Sequence, residues 1–226
     1  MSFEVALRAT EILLALAMIQ QSAEHLSLHH EERLLFLPRI MLAIAMLIGV
    51  QTDWILLALV AQTVLMLVRF QGPYNGGSDR MGTLILFCLC LAHWLPERWR
   101  EMALAYLAVQ LVLSYFISGQ VKIVNRSWRS GLALQDVFRF SAYPVSEDLR
   151  RLADRPRLLW AMSWAVMGFE VAFPIGLLDQ RLLITGLAIA ALFHLANACL
   201  FGLNRFLWAW IAAYPSILWF QARMFG

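Results

Sequence analysis

Long runs of apolar residues dominate this chain and restrict what it can fold into. A helix that crosses the hydrocarbon core of a membrane needs about 20 such residues. We identify eight runs of roughly this kind, at residues 3–22, 34–50, 54–70, 81–96, 101–122, 157–178, 181–203 and 206–222. Hydrophobic residues make up 61% of the chain and charged residues only 15%, which is too little polar surface for an ordinary soluble domain.

The pattern within and between these runs is helical throughout. No strand-like alternation, low-complexity tract or internal repeat is visible. We therefore predict an all-α, polytopic transmembrane bundle of about eight spans, or six to eight because some runs are short, forming a single integral membrane domain over residues 1–226. The net charge is only +3, and the basic residues lie between the apolar runs, as is typical of residues that contact lipid headgroups. We therefore expect the lipid bilayer as a partner and no nucleic acid.

The longest connection between the predicted spans covers residues 123–156. It includes the stretch SEDLRRLADRP, in which Ser146 can cap a short helix that ends at Pro156. Leu149 and Leu152 would then face the bundle while the arginines face water, which predicts a partly interfacial segment rather than a free loop. Counting lysines and arginines on alternate sides of eight spans places this connection in the cytoplasm.

Polar side chains inside the apolar runs are the first candidate site residues. A charged group at membrane depth costs about 2.5 to 3.5 kcal/mol on insertion scales, so it needs a partner or a function. Lys122 ends the fifth run, Glu170 lies in the sixth, and His194 and Asn197 share one face of the seventh. The alternative for His194 and Asn197 is an interhelical hydrogen bond that stabilises the bundle. For Glu170 it is a structural partnership with an arginine.

Other polar residues have simpler interpretations. His93, beside a tryptophan at the end of the fourth run, is typical of an interfacial anchor. Arg8 and Glu11, three residues apart in the first run, are expected to neutralise each other. The stretch QGPYNGGSDRM predicts a turn, with Ser78 or Asp79 as the cap of the next helix.

Lys122 is the only lysine in a chain that has seventeen arginines. An ammonium group can release its proton when it is removed from water, whereas a guanidinium in a protein does not. A neutral amine is a base, so the choice of lysine at this position points to proton transfer. The alternative is an anchor whose charged end reaches the membrane surface.

Three histidines, His25, His29 and His30, lie in the polar stretch EHLSLHHEERL. In a helix, His25 and His29 would share a face at the i, i+4 spacing that zinc sites use, but a third ligand is not assured. We favour a solvated, histidine-rich connection and assign no metal ligand.

Two separated motifs resemble a known membrane family. The stretch YFISGQVKIVNRSWRSGLAL supplies Phe116, Ser118, Gly119, Lys122, Trp128 and Gly131, and the stretch FHLANACLFG supplies Phe193, His194, Asn197, Phe201 and Gly202. Together with EVAFP around Glu170, they resemble the membrane domain of vitamin K-dependent γ-carboxylase and its bacterial relatives, the HTTM family. The resemblance extends from roughly the third run to the end of the chain.

The resemblance implies a function, because the lysine matched by Lys122 deprotonates a hydroquinone in the carboxylase. We therefore expect a quinone or hydroquinone as cofactor and a location in the bacterial inner (plasma) membrane. The predicted catalytic residues are Lys122, His194 and Glu170, and the predicted substrate contacts are Asn197, Trp128, His93 and Asp79. Glu170 would hold or relay protons, and His194 and Asn197 would bind the anion that forms.

A second class of function stays open beside this one. The chain can instead be a non-enzymatic accessory subunit that packs against other membrane proteins, or a partner in peptide maturation, in which the same residues are structural. The two lines of reasoning also differ on sidedness. The active side of the carboxylase faces the lumen, whereas the charge count places residues 123–156 in the cytoplasm.

Overall fold

The computed structural model describes residues 1–28, 33–69, 76–141 and 146–226, and these residues are helical with no strand. The α-helices are α1 (Phe3–Leu28), α2 (Arg33–Ile48), α3 (Thr52–Arg69), α4 (Gly77–Trp94), α5 (Glu97–Val124), α6 (Arg126–Arg129), α7 (Leu132–Phe140), α8 (Pro156–Ala172), α9 (Gln180–Phe201) and α10 (Asn204–Met224). Two 3₁₀ helices, Glu147–Asp154 and Phe173–Leu178, precede and follow α8. The predicted all-α class is confirmed.

Each of the eight predicted spans falls on a helix, but the count of eight membrane spans is not confirmed. By length and composition, three helical segments of the described chain can cross a membrane: Glu97–Val124, Pro156–Leu178 and Gln180–Phe201. Thr52–Val68 is a shorter apolar helix. The count falls because α2 has only 16 residues, while α1 and α4 carry charged residues that lower their hydropathy. These apolar helices fit an integral membrane protein.

The chain divides into two compact units. The first unit contains Met1–Val109 and Arg205–Met224, and the second contains Gln110–Asn204. Helix α5 therefore contributes its first half to one unit and its second half to the other. The single domain predicted over residues 1–226 stays a prediction.

In the first unit, α1 packs against α2 and α4, and α3 packs against the same two helices. Large side chains such as Leu14, Phe36, Met46, Leu59 and Leu89 are almost completely buried between them. The close packing of these side chains supplies van der Waals contacts that stabilise the association of the helices.

Arg8 fastens α1 to the end of α2. Its Nη1 donates to Glu11 Oε2 at 2.8 Å and to the Met46 carbonyl at 2.9 Å, and its Nη2 donates to the Leu47 carbonyl at 2.7 Å. The last carbonyls of a helix lack intrahelical donors and carry partial negative charge, so a guanidinium stabilises them. The predicted pairing of Arg8 with Glu11 is confirmed.

In the second unit, the described parts of the long connection, residues 123–141 and 146–156, are folded against the helices. They form α6, α7 and the 3₁₀ helix Glu147–Asp154, and their apolar side chains Leu134, Phe138 and Ala153 pack against Leu159 and Phe201. The Gln135 side chain donates to the Ala153 carbonyl at 2.7 Å, which joins α7 to the 3₁₀ helix.

The start of that 3₁₀ helix agrees with the sequence. The Ser146 hydroxyl accepts from the backbone N–H of Asp148 at 3.2 Å, so the predicted cap is confirmed. Leu152 packs against the apolar cluster, Leu149 is half-buried and Arg151 is exposed, as predicted for an amphipathic segment. Its location at a membrane interface stays a prediction.

The histidine-rich stretch is described only in part. His25 lies in the last turn of α1, where it is buried and stacks on Phe36 with ring centroids 4.3 Å apart. His29 and His30 lie outside the described residues. Within residues 1–28, 33–69, 76–141 and 146–226, no group of three or more His, Cys, Asp and Glu side chains is arranged to hold a metal ion.

Candidate functional site

The second unit brings Lys122 and Glu170 together in a closed ion pair. Lys122 Nζ lies 2.7 Å from both carboxylate oxygens of Glu170 and 2.6 Å from Ser118 Oγ. The Ser118 hydroxyl also donates to Glu170 Oε1 at 3.2 Å. All three N–H groups of the ammonium therefore have an acceptor. The Glu170 side chain is 4% exposed and that of Lys122 16%, so the pair is largely removed from water.

A glycine makes this pair possible by letting α5 approach α8. A Cβ atom at Gly119 would lie 2.8 Å from Glu170 Cβ and 2.9 Å from the backbone nitrogen of Val171, which is closer than real Cβ atoms come. Gly119 lies between Ser118 and Lys122 in the last turns of α5. Its missing side chain therefore sets the distance at which Ser118 and Lys122 meet Glu170.

Trp128 is the next predicted residue that the structure places beside Lys122. Lys122 Nζ lies 5.3 Å from the centroid of the Trp128 ring, within the range of a cation–π interaction. Helix α6 is capped by Asn125, whose side chain accepts from the Ser127 N–H at 2.9 Å. Ser163 on α8 donates to the Trp128 carbonyl at 2.6 Å, so the short helix that carries the indole is held from two sides.

Gly131 completes this turn. It follows α6 and caps α7 with a φ of 80°, a left-handed conformation that favours glycine. A Cβ at this position would also lie 2.8 Å from the Trp160 Cα. Two independent constraints therefore require glycine where the chain turns from α6 into α7.

Beside the ion pair lies a cavity of about 640 Å³. Its wall is formed by Lys122, Trp128, Leu134, Asp136, Val137, Phe140, Ser141, Val166, Phe193, Asn197, Phe201 and Leu203. The wall is mostly apolar and aromatic, with an amine, an amide, a carboxylate and a hydroxyl as its polar groups. Its volume is that of a typical site for an organic ligand, about 300 to 1,000 Å³.

His194 lies one turn from Asn197 on α9 but has a different environment. Its Nε2 is 2.9 Å from the Tyr115 hydroxyl, and both residues are buried. The Tyr115 ring also packs on Phe173, with centroids 4.3 Å apart. Among the described residues, Asn197 lines the 640 Å³ cavity with Lys122, whereas His194 is part of this aromatic cluster.

The structure places His93 in the first unit, between two carboxylates. His93 Nε2 is 2.6 Å from Glu11 Oε1, and Nδ1 is 2.5 Å from Asp53 Oδ1. The neighbouring Trp94 Nε1 donates to the Asp53 carbonyl at 3.2 Å. His93 therefore links α1, α3 and α4 through the network that begins at Arg8.

Asp79 also lies in the first unit, and its predicted role as a helix cap is wrong. The N-cap of α4 is Gly76, and no side chain caps it. Asp79 is instead at the third helical position, where its Oδ1 accepts from Gln21 Nε2 at 2.6 Å. Burial raises the pKa of Asp79 to about 6, against smaller opposing effects that include the charges of Arg205 and Arg39. Ser78, the other predicted cap, is buried.

A model of the HTTM domain family matches residues 97–222, more than half of the chain. This chain belongs to the HTTM family. The HTTM domain is the domain found in vitamin K-dependent γ-carboxylase, so the resemblance of the two motifs is confirmed. No curated protein and no solved structure matches the chain.

The HTTM match begins at the first residue of α5 and ends within α10. It contains the ion pair and the residues around it, whereas His93 and Asp79 precede it. Helices α1 to α4 therefore lie before the part of the chain that the HTTM model recognises.

Two residues of the site, Tyr115 and Asp136, were not singled out from the sequence of this HTTM chain, and Ser118 was named only as a member of the first motif. Tyr115 and Ser118 lie seven and four residues before Lys122, so the helical period places all three on one face of α5, a signal that was available. Asp136 is exposed on α7 and lines the cavity, and no local pattern marks it.

Proposed function

We propose that this HTTM protein is a multi-pass membrane protein that binds a quinone, its hydroquinone or a similar lipophilic ligand in the 640 Å³ cavity, with Lys122 as base. The observation that carries the proposal is the position of Lys122. Lys122 is one of the residues that line the aromatic cavity, and its amine is hydrogen-bonded to the buried carboxylate of Glu170. This arrangement couples a ligand site to a proton acceptor.

The chemistry of the cavity wall supports an aromatic ligand with polar oxygens. Trp128, Phe140, Phe193 and Phe201 offer ring faces for a flat apolar body. Asn197 offers N–H donors to a carbonyl or hydroxyl oxygen of the ligand, and Lys122, once Glu170 has taken one of its protons, offers a lone pair to a hydroxyl proton of the ligand. A quinone ring carries both features, and as a hydroquinone it supplies hydroxyl protons of moderate acidity.

Lys122 must first lose a proton before it can accept one. Glu170 can take that proton along either of the 2.7 Å hydrogen bonds to Nζ, which leaves a neutral amine and a neutral carboxylic acid. Lys122 Nζ then accepts the hydroxyl proton of the ligand and becomes an ammonium again. The net transfer is one proton from the ligand oxygen to Glu170, with no change in the total charge of the site.

The restored ammonium of Lys122 faces the negative charge left on the ligand oxygen. A preformed cation in a site with little water stabilises such a charge more strongly than water does. Asn197, in the same wall, can donate a further hydrogen bond. In this proposal His194 does not contact the ligand. Its hydrogen bond to Tyr115 positions α9 and thereby Asn197.

The test uses purified protein in lipid nanodiscs, without oxygen, and a short-chain naphthohydroquinone as probe. Wild-type protein is expected to bind the probe and to shift its absorbance toward that of the hydroquinone anion at pH 7. Lys122→Arg keeps the charge and can pair with both Glu170 oxygens, but a guanidinium in a protein does not become neutral and so cannot act as a base. This variant should bind the probe without the anion spectrum.

Two further variants complete this test. Asn197→Ala should weaken probe binding about three- to tenfold, the usual effect of one lost hydrogen bond. Arg126→Lys, an exposed change just after the site, is the matched control and should behave as wild type. An anion spectrum of full strength in Lys122→Arg, or no probe binding by the wild-type protein, contradicts the proposal.

A further inference from the structure

A second cavity, of about 50 Å³, lies in the first unit among α1, α2, α3, α4 and α10. Its wall is apolar in part, but one side carries Gln21, Arg39, Thr63, Ser78, Asp79 and Arg205. One buried water molecule needs about 10 to 15 Å³ of cavity volume. A cavity of about 50 Å³ therefore has room for a small molecule of about three or four non-hydrogen atoms. It is separate in sequence and chemistry from the aromatic cavity at Lys122.

Arg39 is the unusual member of this wall. Only 6% of the residue is exposed, and its Nη1 donates to Thr63 Oγ1 at 3.1 Å and to the weak acceptor Met66 Sδ at 3.5 Å. Its Nε–H has no hydrogen-bond partner among the described residues. A buried guanidinium that lacks acceptors is costly, so this arrangement calls for a further acceptor in the cavity.

Over the residues that the structure describes, Asp79 has a buried acceptor without a donor, just as Arg39 has a buried donor without an acceptor. Its Oδ1 accepts from Gln21, while its buried Oδ2 has no partner among the described residues. Within that part of the chain, no ion pair shorter than 4 Å joins Asp79 to Arg39, although both line the cavity. A direct pair would satisfy both groups, so the space between them points to a bound group.

The charges in the cavity restrict what can bind. The charged groups that face Asp79 are Arg39 on α2 and Arg205 on α10, and Arg205 is already paired with Glu24 on α1 at 2.9 Å. The residues of α3 in the wall are uncharged. When Asp79 is ionised, the two arginines and the two carboxylates Asp79 and Glu24 have no net charge, so a bound anion would have no positive charge to balance it. When Asp79 is protonated, the positive charge of Arg39 is no longer balanced, and one bound anion with a single negative charge can balance it.

We propose that this cavity binds one small monoanion, of the size of a short carboxylate, together with one proton. The anion accepts hydrogen bonds from Arg39, including its Nε–H, and the proton resides on Asp79, whose Oδ2–H then donates to the anion. The proton is taken from solvent, so anion and proton enter in equal number. The elevated pKa of Asp79 supports this step, because the carboxyl is easier to protonate than an ordinary aspartate.

Sodium acetate is the probe, and sodium sulfate at equal ionic strength is the comparison. Thermal unfolding of the purified chain, followed by tryptophan fluorescence, reports binding, because a ligand that binds only the folded state raises Tm. Acetate should raise Tm in a saturable manner and sulfate should not. Uptake of one proton per anion predicts that the apparent Kd for acetate rises about tenfold per pH unit above about pH 6.

Two substitutions act in opposite directions on this site. Asp79→Asn mimics the protonated carboxyl, so it should tighten acetate binding about tenfold or more at pH 7.5 and remove the pH dependence. Arg39→Gln should abolish saturable acetate binding, whereas Arg33→Gln, an exposed change on the same helix, should not. Asp79→Asn keeps the test decisive even if Arg39→Gln fails to fold, because a gain of affinity requires a folded protein.

The opposing outcomes are equally definite. If acetate at pH 6 gives no saturable shift beyond that of sulfate, the cavity holds water only and the proposal is wrong. If Asp79→Asn weakens binding, or if Arg39→Gln and Arg33→Gln respond alike, the anion is bound elsewhere. None of these results bears on the Lys122 cavity, because the three substituted residues, Asp79, Arg39 and Arg33, all lie in the first unit.

Discussion

The Lys122–Glu170 pair gives the sharpest energetic prediction. Lys122→Met removes the ammonium and leaves Glu170, only 4% exposed, with the Ser118 hydroxyl as its hydrogen-bond donor in the described part of the chain. Removing one partner of a buried ion pair typically costs about 3 to 5 kcal/mol. The carboxyl can instead take up a proton, which limits the cost to about 4 kcal/mol at pH 7, the free energy of protonating an ordinary glutamate. We expect a loss of about 3 to 4 kcal/mol.

Substitution of the other partner, Glu170, should lower the free energy of unfolding by less. Glu170→Gln keeps a side-chain oxygen near Nζ and keeps Ser118 as an acceptor, and Lys122 is 16% exposed, so water can reach it. A charged group that keeps part of its hydrogen bonding loses about 1 to 3 kcal/mol. In the double variant Lys122→Met/Glu170→Gln no charge remains to be buried. The two losses should therefore not add, and the coupling energy should be about 2 kcal/mol.

The assay is equilibrium unfolding by sodium dodecyl sulfate in mixed micelles at pH 7, followed by far-UV circular dichroism. Ser114→Ala is the control, because the Ser114 hydroxyl bonds only its own helix, at the Leu111 carbonyl, within the described contacts. Its effect should add to that of Glu170→Gln. A coupling energy below about 0.5 kcal/mol between Lys122 and Glu170 would refute the closed pair. Full function in the double variant would favour the accessory-subunit alternative over a catalytic lysine.

Three further predictions concern single positions. Gly119→Ala should destabilise the protein by about 1 to 3 kcal/mol in the same assay, because its Cβ meets the Val171 backbone, whereas Gly168→Ala, with nothing within 4 Å, should be neutral or stabilising. Because burial raises the pKa of Asp79 from 3.8 to about 6, its ionisation opposes folding: the unfolding free energy should fall as pH rises between these values, and Asp79→Asn should lack that fall. Ser141→Cys should resist impermeant maleimides in intact cells if the long connection is cytoplasmic, and ready labelling would contradict that assignment.

The helices were predictable because their signal is local. Each apolar run coincides with a helix, and the Ser146 cap and the Arg8–Glu11 pair are confirmed, since each depends on residues only a few positions apart. The number of membrane spans was not predictable in the same way. A run of apolar residues can be buried against protein as well as against lipid, and residues in α1 and α4 that reduce hydropathy find partners inside the first unit.

Lys122 and Glu170 could be singled out from the sequence, but their contact with each other could not. A buried lysine and a buried glutamate each need a partner, yet nothing local says that Glu170 serves Lys122 rather than one of seventeen arginines. That choice depends on the close approach of α5 and α8 at Gly119. Asp79 shows the opposite error. Its position beside a turn suggested a cap, but a contact with Gln21, distant in sequence, determines where its side chain lies.

Among the described residues, Lys122 with Glu170 and Arg39 with Asp79 each place a cation and a carboxylate at a cavity, and the difference between the two sites bears on the choice of lysine at position 122. Lys122 and Glu170 touch at 2.7 Å beside a large apolar cavity, and a proton can cross that hydrogen bond because an ammonium can become an amine. Arg39 and Asp79 share a small polar cavity without a direct ion pair among the described residues, and the guanidinium keeps its charge at any ordinary pH. An arginine therefore suits the anion site that we propose in the first unit, because that site requires a permanent positive charge. In the mechanism that we propose for Lys122, a lysine is suitable because its ammonium gives a proton to Glu170.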